Sequence, residues 1–279
     1  MKRNKYKKIL APTHEIFMAA LTKAAEVENE FDQILNDLFW QIKNDIKDLY
    51  SKNSTEAERN YLINKLHTSQ MVRSNTLKVL WDYLLRDILI STYKNIYYQT
   101  YLLVNTYKDN KSADSISVPT TKMTNNYIEK NYLNIPWCQD GKIYRDRTRR
   151  HLIDFNNKLD YILLEGIKNN WSQEQTDQKI KELCENAVYN AARLLRTETA
   201  AVWSQATKDA YLDSGIEYVE IIGDAACREV CTGYVGEIVR LDTAALGNQL
   251  PPYHPNCACE FIAYEYWKDI THFSPKEVK

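Results

Sequence analysis

From Phe31 the apolar residues Ile34, Leu35, Leu38, Phe39, Ile42, Ile46 and Leu49 return every third or fourth position. That spacing lays one apolar stripe along a single face of a long helix. A second such run extends from about Thr55 towards Tyr107 and carries Leu77, Leu80, Trp81, Leu84, Leu85, Ile88 and Leu89. Two long amphipathic helices predict a stalk or bundle whose stripe is core or partner surface. Only seven glycines and seven prolines occur in 279 residues, so tight turns are few and the chain is expected to be mainly α. The same scarcity leaves no GxGxxG or GxxxxGK loop to cradle phosphates, which sets aside the common nucleotide enzymes.

The formal net charge is −1, so there is no global attraction for nucleic acid or an anionic membrane. The first residues, MKRNKYKK, are locally basic and read as a solvated tail, with phosphate contact the alternative. No apolar core follows them as a signal peptide requires, and the most hydrophobic stretch, Val79 to Ile90, is broken by Asp82, Arg86 and Asp87. A soluble chain made in the cytosol, with no membrane partner, is expected.

The polar stretch Lys108 to Asn126, with Ser112, Ser115, Ser117 and Pro119, lacks apolar periodicity and reads as a linker. It separates an N-terminal helical domain, 1–110, from a second domain, 131–279, with 111–130 between them. In IPWCQDGKIYRDR, Ile135 to Arg147, Asp140 and Gly141 supply a turn. Leu152, Phe155, Leu159, Ile162 and Leu163 then mark a helix that Gly166 is expected to close. Ser172 and Gln175 form a capping-box pattern, so the next helix starts at Ser172 and turns Ile180, Leu183, Cys184, Ala187 and Ala191 inward. It continues through RLLRTETAAVW and past Ala200, Trp203, Ala206 and Tyr211 to an end at Ser214 and Gly215. Beyond it the period shortens, predicting strands at Ile216 to Ile222, Glu237 to Leu241 and Glu260 to Tyr264.

Around those strands lies GNQLPPYHPNCAC, Gly247 to Cys259, with Cys227 and Cys231 a short loop upstream. Imidazole and thiolate together suit zinc, which in structural sites takes four nitrogen and sulfur ligands. Five candidates, Cys227, Cys231, His254, Cys257 and Cys259, compete for four places. Buried reduced thiols and disulfides are the plainer readings. A Cys257 to Cys259 disulfide would close a strained ring across one intervening residue. Cys138 and Cys184 lie far from the cluster and read as reduced. Three short strands bury little alone, whereas zinc binding contributes about 10 to 16 kcal/mol in small modules. The expected fold is therefore mainly α with long N-terminal amphipathic helices and a small zinc-stapled α+β module at the C-terminal end.

Taken in order, WCQDGKIYRDR, the RTETA helix, IEYVEII, the cysteine loop with Gly236, and GNQLPPYHPNCAC resemble the motif series of phage minor head proteins. The chain is similar over about Ile135 to Tyr264 to the Mu F-like, portal-associated head-morphogenesis family. That resemblance implies an Arg-Thr-Glu triplet at Arg196, Thr197 and Glu198, a Cys-x-x-Cys or Arg-x-x-His pair before a glycine, and a terminal HPxCRC. The chain departs in two places: its upstream pair is CREVC, one residue wider, and Ala258 stands where the family has arginine. Aligned on Gly236, Cys231 falls on the second ligand position and Arg228 on the first. The implied ligand set is Cys231, His254, Cys257 and Cys259, with Cys227 as the substitute.

The resemblance further implies a low-copy virion component inside the phage head near the portal vertex, made in the host cytoplasm. Its partners would be the portal protein and other head or scaffold proteins, with phage DNA as a further one, and its role head assembly, genome packaging or ejection. An enzyme would need an open metal position and a general base. HExxH is absent, as are the H-x-E and P-C-x-x-C elements of a deaminase, so catalysis is not expected and a zinc-dependent hydrolase is the weakest alternative. Arg196 and Glu198, two apart on a helix, point to different faces and read as structural pairs or as support for the metal loop. The remaining alternative is a nucleic-acid-binding module that lays Arg145, Arg147, Arg149 and Arg150 on phosphates, although these arginines more simply form a solvated face.

Overall fold

A computed structural model describes residues 10–47, 55–109, 112–138, 140–223 and 229–264. The basic MKRNKYKK segment, Leu49 and Cys227 lie outside them. The fold is mainly helical with one small antiparallel sheet and a cysteine cluster near its C-terminal end. In chain order the main elements are α1 (Leu10–Ile46), α2 (Glu56–Asp109), α3 (Asn125–Ile128), α4 (Tyr144–Lys168), α5 (Gln173–Asp213), β1 (Tyr218–Ile222), α6 (Glu229–Thr232), β2 (Ile238–Arg240) and β3 (Glu260–Tyr264). Among the described residues no helix is long and apolar enough to cross a membrane.

By packing, the chain divides into two compact units, neither continuous in sequence. The first comprises Met1–Ala24, Arg86–Ile143 and Leu195–Lys279, and the second Ala25–Leu85 and Tyr144–Leu194.

The second unit buries the stripes read from the sequence. Phe31, Leu35, Leu38, Ile42 and Ile46 of α1 are buried, as are Trp81 and Leu85 of α2, Phe155, Leu159 and Leu163 of α4, and Ile180, Leu183 and Ala191 of α5. Each leucine, isoleucine or phenylalanine among them contributes about 1.5 to 3 kcal/mol by leaving water. The Phe31 and Trp81 rings meet at 4.0 Å, and Lys43 Nζ pairs with Asp177 Oδ2 at 3.0 Å. One boundary expectation is corrected here. Gly166 does not close α4, which runs through it to Lys168; Asn170, at φ 51°, takes the left-handed position instead, and the Trp171 N–H returns to the Gly166 carbonyl at 2.9 Å. Asparagine also tolerates that conformation, and a buried glycine inside a helix serves close packing.

The first unit centres on Trp203, whose ring meets Phe17 of α1 edge-on at 4.8 Å and Phe261 of β3 at 5.4 Å. The stretch read as a linker belongs to this unit. It forms short 3-10 turns at Ala113–Ser115 and Thr121–Met123, then α3 and a wider π turn over Glu129–Leu133. Lys122 Nζ fastens it to Asp213 Oδ1 at 2.8 Å. In the sheet, β1 lies between β2 and β3, with Val219 facing Val239 on one side and Ala263 on the other. Val219 and Ile221 are buried while their neighbours are not, the alternation a strand requires, and all five residues of β3 are buried.

Candidate metal centre

The end of α5 sets the site's position. Ser214 and Gly215, with Gly215 at φ 70°, stop the helix, and the Ile216 N–H bonds the Tyr211 carbonyl at 2.9 Å, turning the chain into β1. After β1 the short α6 carries Cys231 inward with no exposure. After β2, the turn at Gly247 presses against Trp137: a Cβ at Gly247 would stand 3.3 Å from the Trp137 carbonyl oxygen, and φ is 72°. Only glycine meets both conditions without strain. The chain then passes through PPYHPNCAC and delivers Cys257 and Cys259 just before β3.

His254-Pro255-Asn256-Cys257 is a tight turn closed by the Cys257 N–H on the His254 carbonyl at 3.1 Å. Proline second and asparagine third at φ 60° are the marks of a type II turn, in which proline presets the first central residue and the second must adopt positive φ. The consequence is chemical: two candidate ligands, His254 and Cys257, start from adjacent corners of one turn.

The three sulfurs of Cys231, Cys257 and Cys259 all lie within 4.8 Å of one another, and the residues are at most 5% exposed. Two thiolates on one tetrahedral zinc stand about 3.8 Å apart, so a small inward adjustment would place all three on a single ion. His254 Nε2 lies 3.3 Å from Cys231 Sγ, close to the spacing of about 3.6 Å expected for nitrogen and sulfur on such an ion. A hydrogen bond from the Cys259 side chain holds the Cys257 thiol well below its ordinary range, at about 5, against the opposing effect of burial, and backbone hydrogen bonds at Tyr253 and Cys259 and the nearby His254 add to this. Thiolate is the form that binds metal. The donor set therefore suits a soft or borderline ion, and these three cysteines could hold one. Tyr253 packs on the cluster, stacked on Tyr234 at 4.2 Å.

Of the five candidates, the fold gathers three cysteines and sets His254 against one of them, while Cys227 lies outside the described residues. Among the described residues, Cys138, Cys184, Cys231, Cys257 and Cys259 form no disulfide. Cys138 Sγ bonds Asp140 Oδ1 at 2.9 Å, and burial raises the Cys184 thiol to about 12. Glu198 is buried, 4% exposed, and accepts the Trp137 indole N–H at 2.9 Å, whereas Arg196 is exposed. Thr197 of this triplet touches the cysteine loop: its Oγ1 accepts the Asn256 N–H at 3.2 Å. Ligand spacing gave no sign of it; the Pro-Asn pair was the readable signal for the turn, but its partner on α5 was not. In the second unit Arg145 lies over the Tyr144 ring at 5.1 Å, Arg147 is half-buried, and Arg149 and Arg150 are exposed.

No protein-family model, curated protein or solved structure matches the chain.

Proposed function

We propose that Cys231, Cys257, Cys259 and His254 hold one zinc ion as a structural staple, and that the protein is a non-enzymatic phage minor head protein of the Mu F-like, portal-associated kind. The observation that carries the staple is the buried three-thiol cluster with the His254 nitrogen turned onto it. Four soft donors fill a tetrahedral ion and leave no open position for a substrate or an activated water. Bound there, zinc would supply cross-linking energy of about 10 to 16 kcal/mol to the small three-stranded module.

Supporting the family reading, three of the segments that carry the resemblance meet in space. Trp137 reaches Glu198, Gly247 sits against the Trp137 backbone, and Thr197 reaches Asn256. On this reading the protein works inside the phage head by contact with the portal and other head or scaffold proteins, supporting packaging or ejection, with packaged DNA as a further partner.

Elemental analysis of freshly purified protein should give one zinc per chain, with the content clearly reduced in His254→Ala, which keeps only the three cysteines. Absence of metal from the wild type would sink the staple. Phage lacking the protein should build portal-containing shells that package or infect poorly; normal yield and infectivity would sink the assembly role, and metal-dependent turnover of a substrate would overturn the non-enzymatic reading.

A further inference from the structure

The HPNC turn contains a peptide unit that is held from both ends. Its carbonyl, on Pro255, lies 2.9 Å from His254 Nδ1. A carbonyl oxygen can only accept, so Nδ1 carries a proton and, in the neutral ring that binds metal, Nε2, the atom 3.3 Å from Cys231 Sγ, presents its lone pair. The other end of the same unit, the Asn256 N–H, donates to Thr197 Oγ1 at 3.2 Å. In a type II turn this central peptide is rotated by about half a turn relative to type I, so the N–H has no acceptor within the turn and the carbonyl moves to the opposite face. A hydroxyl waiting on α5 therefore favours one of two peptide orientations.

We propose that Thr197 is the positioning residue for His254: by accepting the Asn256 N–H it fixes the Pro255–Asn256 peptide, whose carbonyl fixes the tautomer and aim of the imidazole as fourth metal ligand. Loss of the hydroxyl would remove the bias on the peptide, let the carbonyl leave Nδ1, and free the ring to turn away from the three sulfurs. The helix carrying Thr197 is thereby coupled to the metal site through two hydrogen bonds and one peptide plane. An outer partner of a ligating histidine typically governs metal affinity by about 10- to 100-fold. This inference rests on the metal-staple reading.

The test uses the full chain loaded with Zn(II), or with Co(II) as a spectroscopic probe, in wild type, Thr197→Val, Thr197→Ser and His254→Ala. Thr197→Val, nearly isosteric but unable to accept the bond, should weaken Zn(II) binding by about 10- to 100-fold in chelator competition. It should also shift the visible Co(II) bands towards those of His254→Ala, while Thr197→Ser keeps both wild-type properties. Wild-type affinity and spectrum in Thr197→Val would overturn the proposal. No metal uptake by the wild type would instead overturn the staple itself, and equal affinity in His254→Ala would remove histidine from the ligand set while sparing the three thiolates. Should Thr197→Val fail to fold, nuclear magnetic resonance of the zinc-loaded wild type decides: imidazole bound through Nε2 with a slowly exchanging Asn256 amide supports the proposal, and binding through Nδ1 or a freely exchanging amide defeats it.

Discussion

Asp209, 5% exposed, accepts the Tyr93 hydroxyl at 2.5 Å, the Tyr132 hydroxyl, and the Gln205 amide at 3.2 Å, while the Tyr97 hydroxyl donates a hydrogen bond to Asp213 at 2.6 Å. Burial first, and then these carboxylates, pushes the phenols of Tyr93, Tyr97 and Tyr132 above their ordinary range. The folded chain thus keeps protons that the unfolded chain releases near pH 10, so this contribution to stability is intact below about pH 10 and falls as pH rises further. Phenolate absorbance should accordingly show the exposed tyrosines ionising first, and these three, with the likewise buried and raised Tyr253, only together with the alkaline loss of tertiary structure. Smooth ionisation of all 20 tyrosines with the fold intact would refute the cage. Nothing in the sequence marked Asp209 for this role, because its partners lie up to 116 positions away. At the cysteine cluster the residue types were legible, since Cys257 and Cys259 stand one residue apart, whereas Thr197 reads as one more helical residue until the turn is folded against it.

The helices were legible where periodicity and caps agree. Ser172 N bonds Gln175 Oε1 at 2.8 Å and Gln175 N bonds Ser172 Oγ at 3.2 Å, the reciprocal pair the pattern anticipates at the start of α5. Thr55 and Glu58 make the same pair at the start of α2, at 2.7 and 3.3 Å, from a Thr-x-x-Glu spelling that periodicity had already located. Replacing Ser172 by alanine should therefore cost about 1 kcal/mol, read as a lower urea midpoint with unchanged slope. An unchanged midpoint would show that the cap is dispensable. The strands were located to within about two residues, a usual margin for element ends. Their order was not legible, because β1 pairs with β3 across a loop of more than thirty residues whose course depends on the site it encloses. Within the described residues helix α1 already runs from Leu10, well before the stripe that signalled it, and Phe17 there packs on Trp203 outside the heavier pattern from Phe31.

Across the whole molecule, the cysteine cluster and the sheet belong to the first unit, so removal of the proposed zinc should act there. On treatment with a strong chelator, amide exchange should accelerate in 229–264 and leave Tyr144–Leu194 protected. Uniform acceleration through both would show that the staple governs the entire chain, and no acceleration would show that it governs none of it. The first unit is also assembled from three stretches separated by the two stretches of the second. His14 meets Glu260 at 2.5 Å across 246 positions, and Phe17 closes on Trp203. On a ribosome adding about 5 to 20 residues per second, the two ends of that contact emerge about 12 to 50 s apart. The second unit is fully synthesised by Leu194, so it can close while the opening turns of α1 still await their partners. For that interval Phe17 and His14 lack Phe261's strand and Glu260 of β3, so the packing around Trp203 is completed only when the last strand of the sheet has been made.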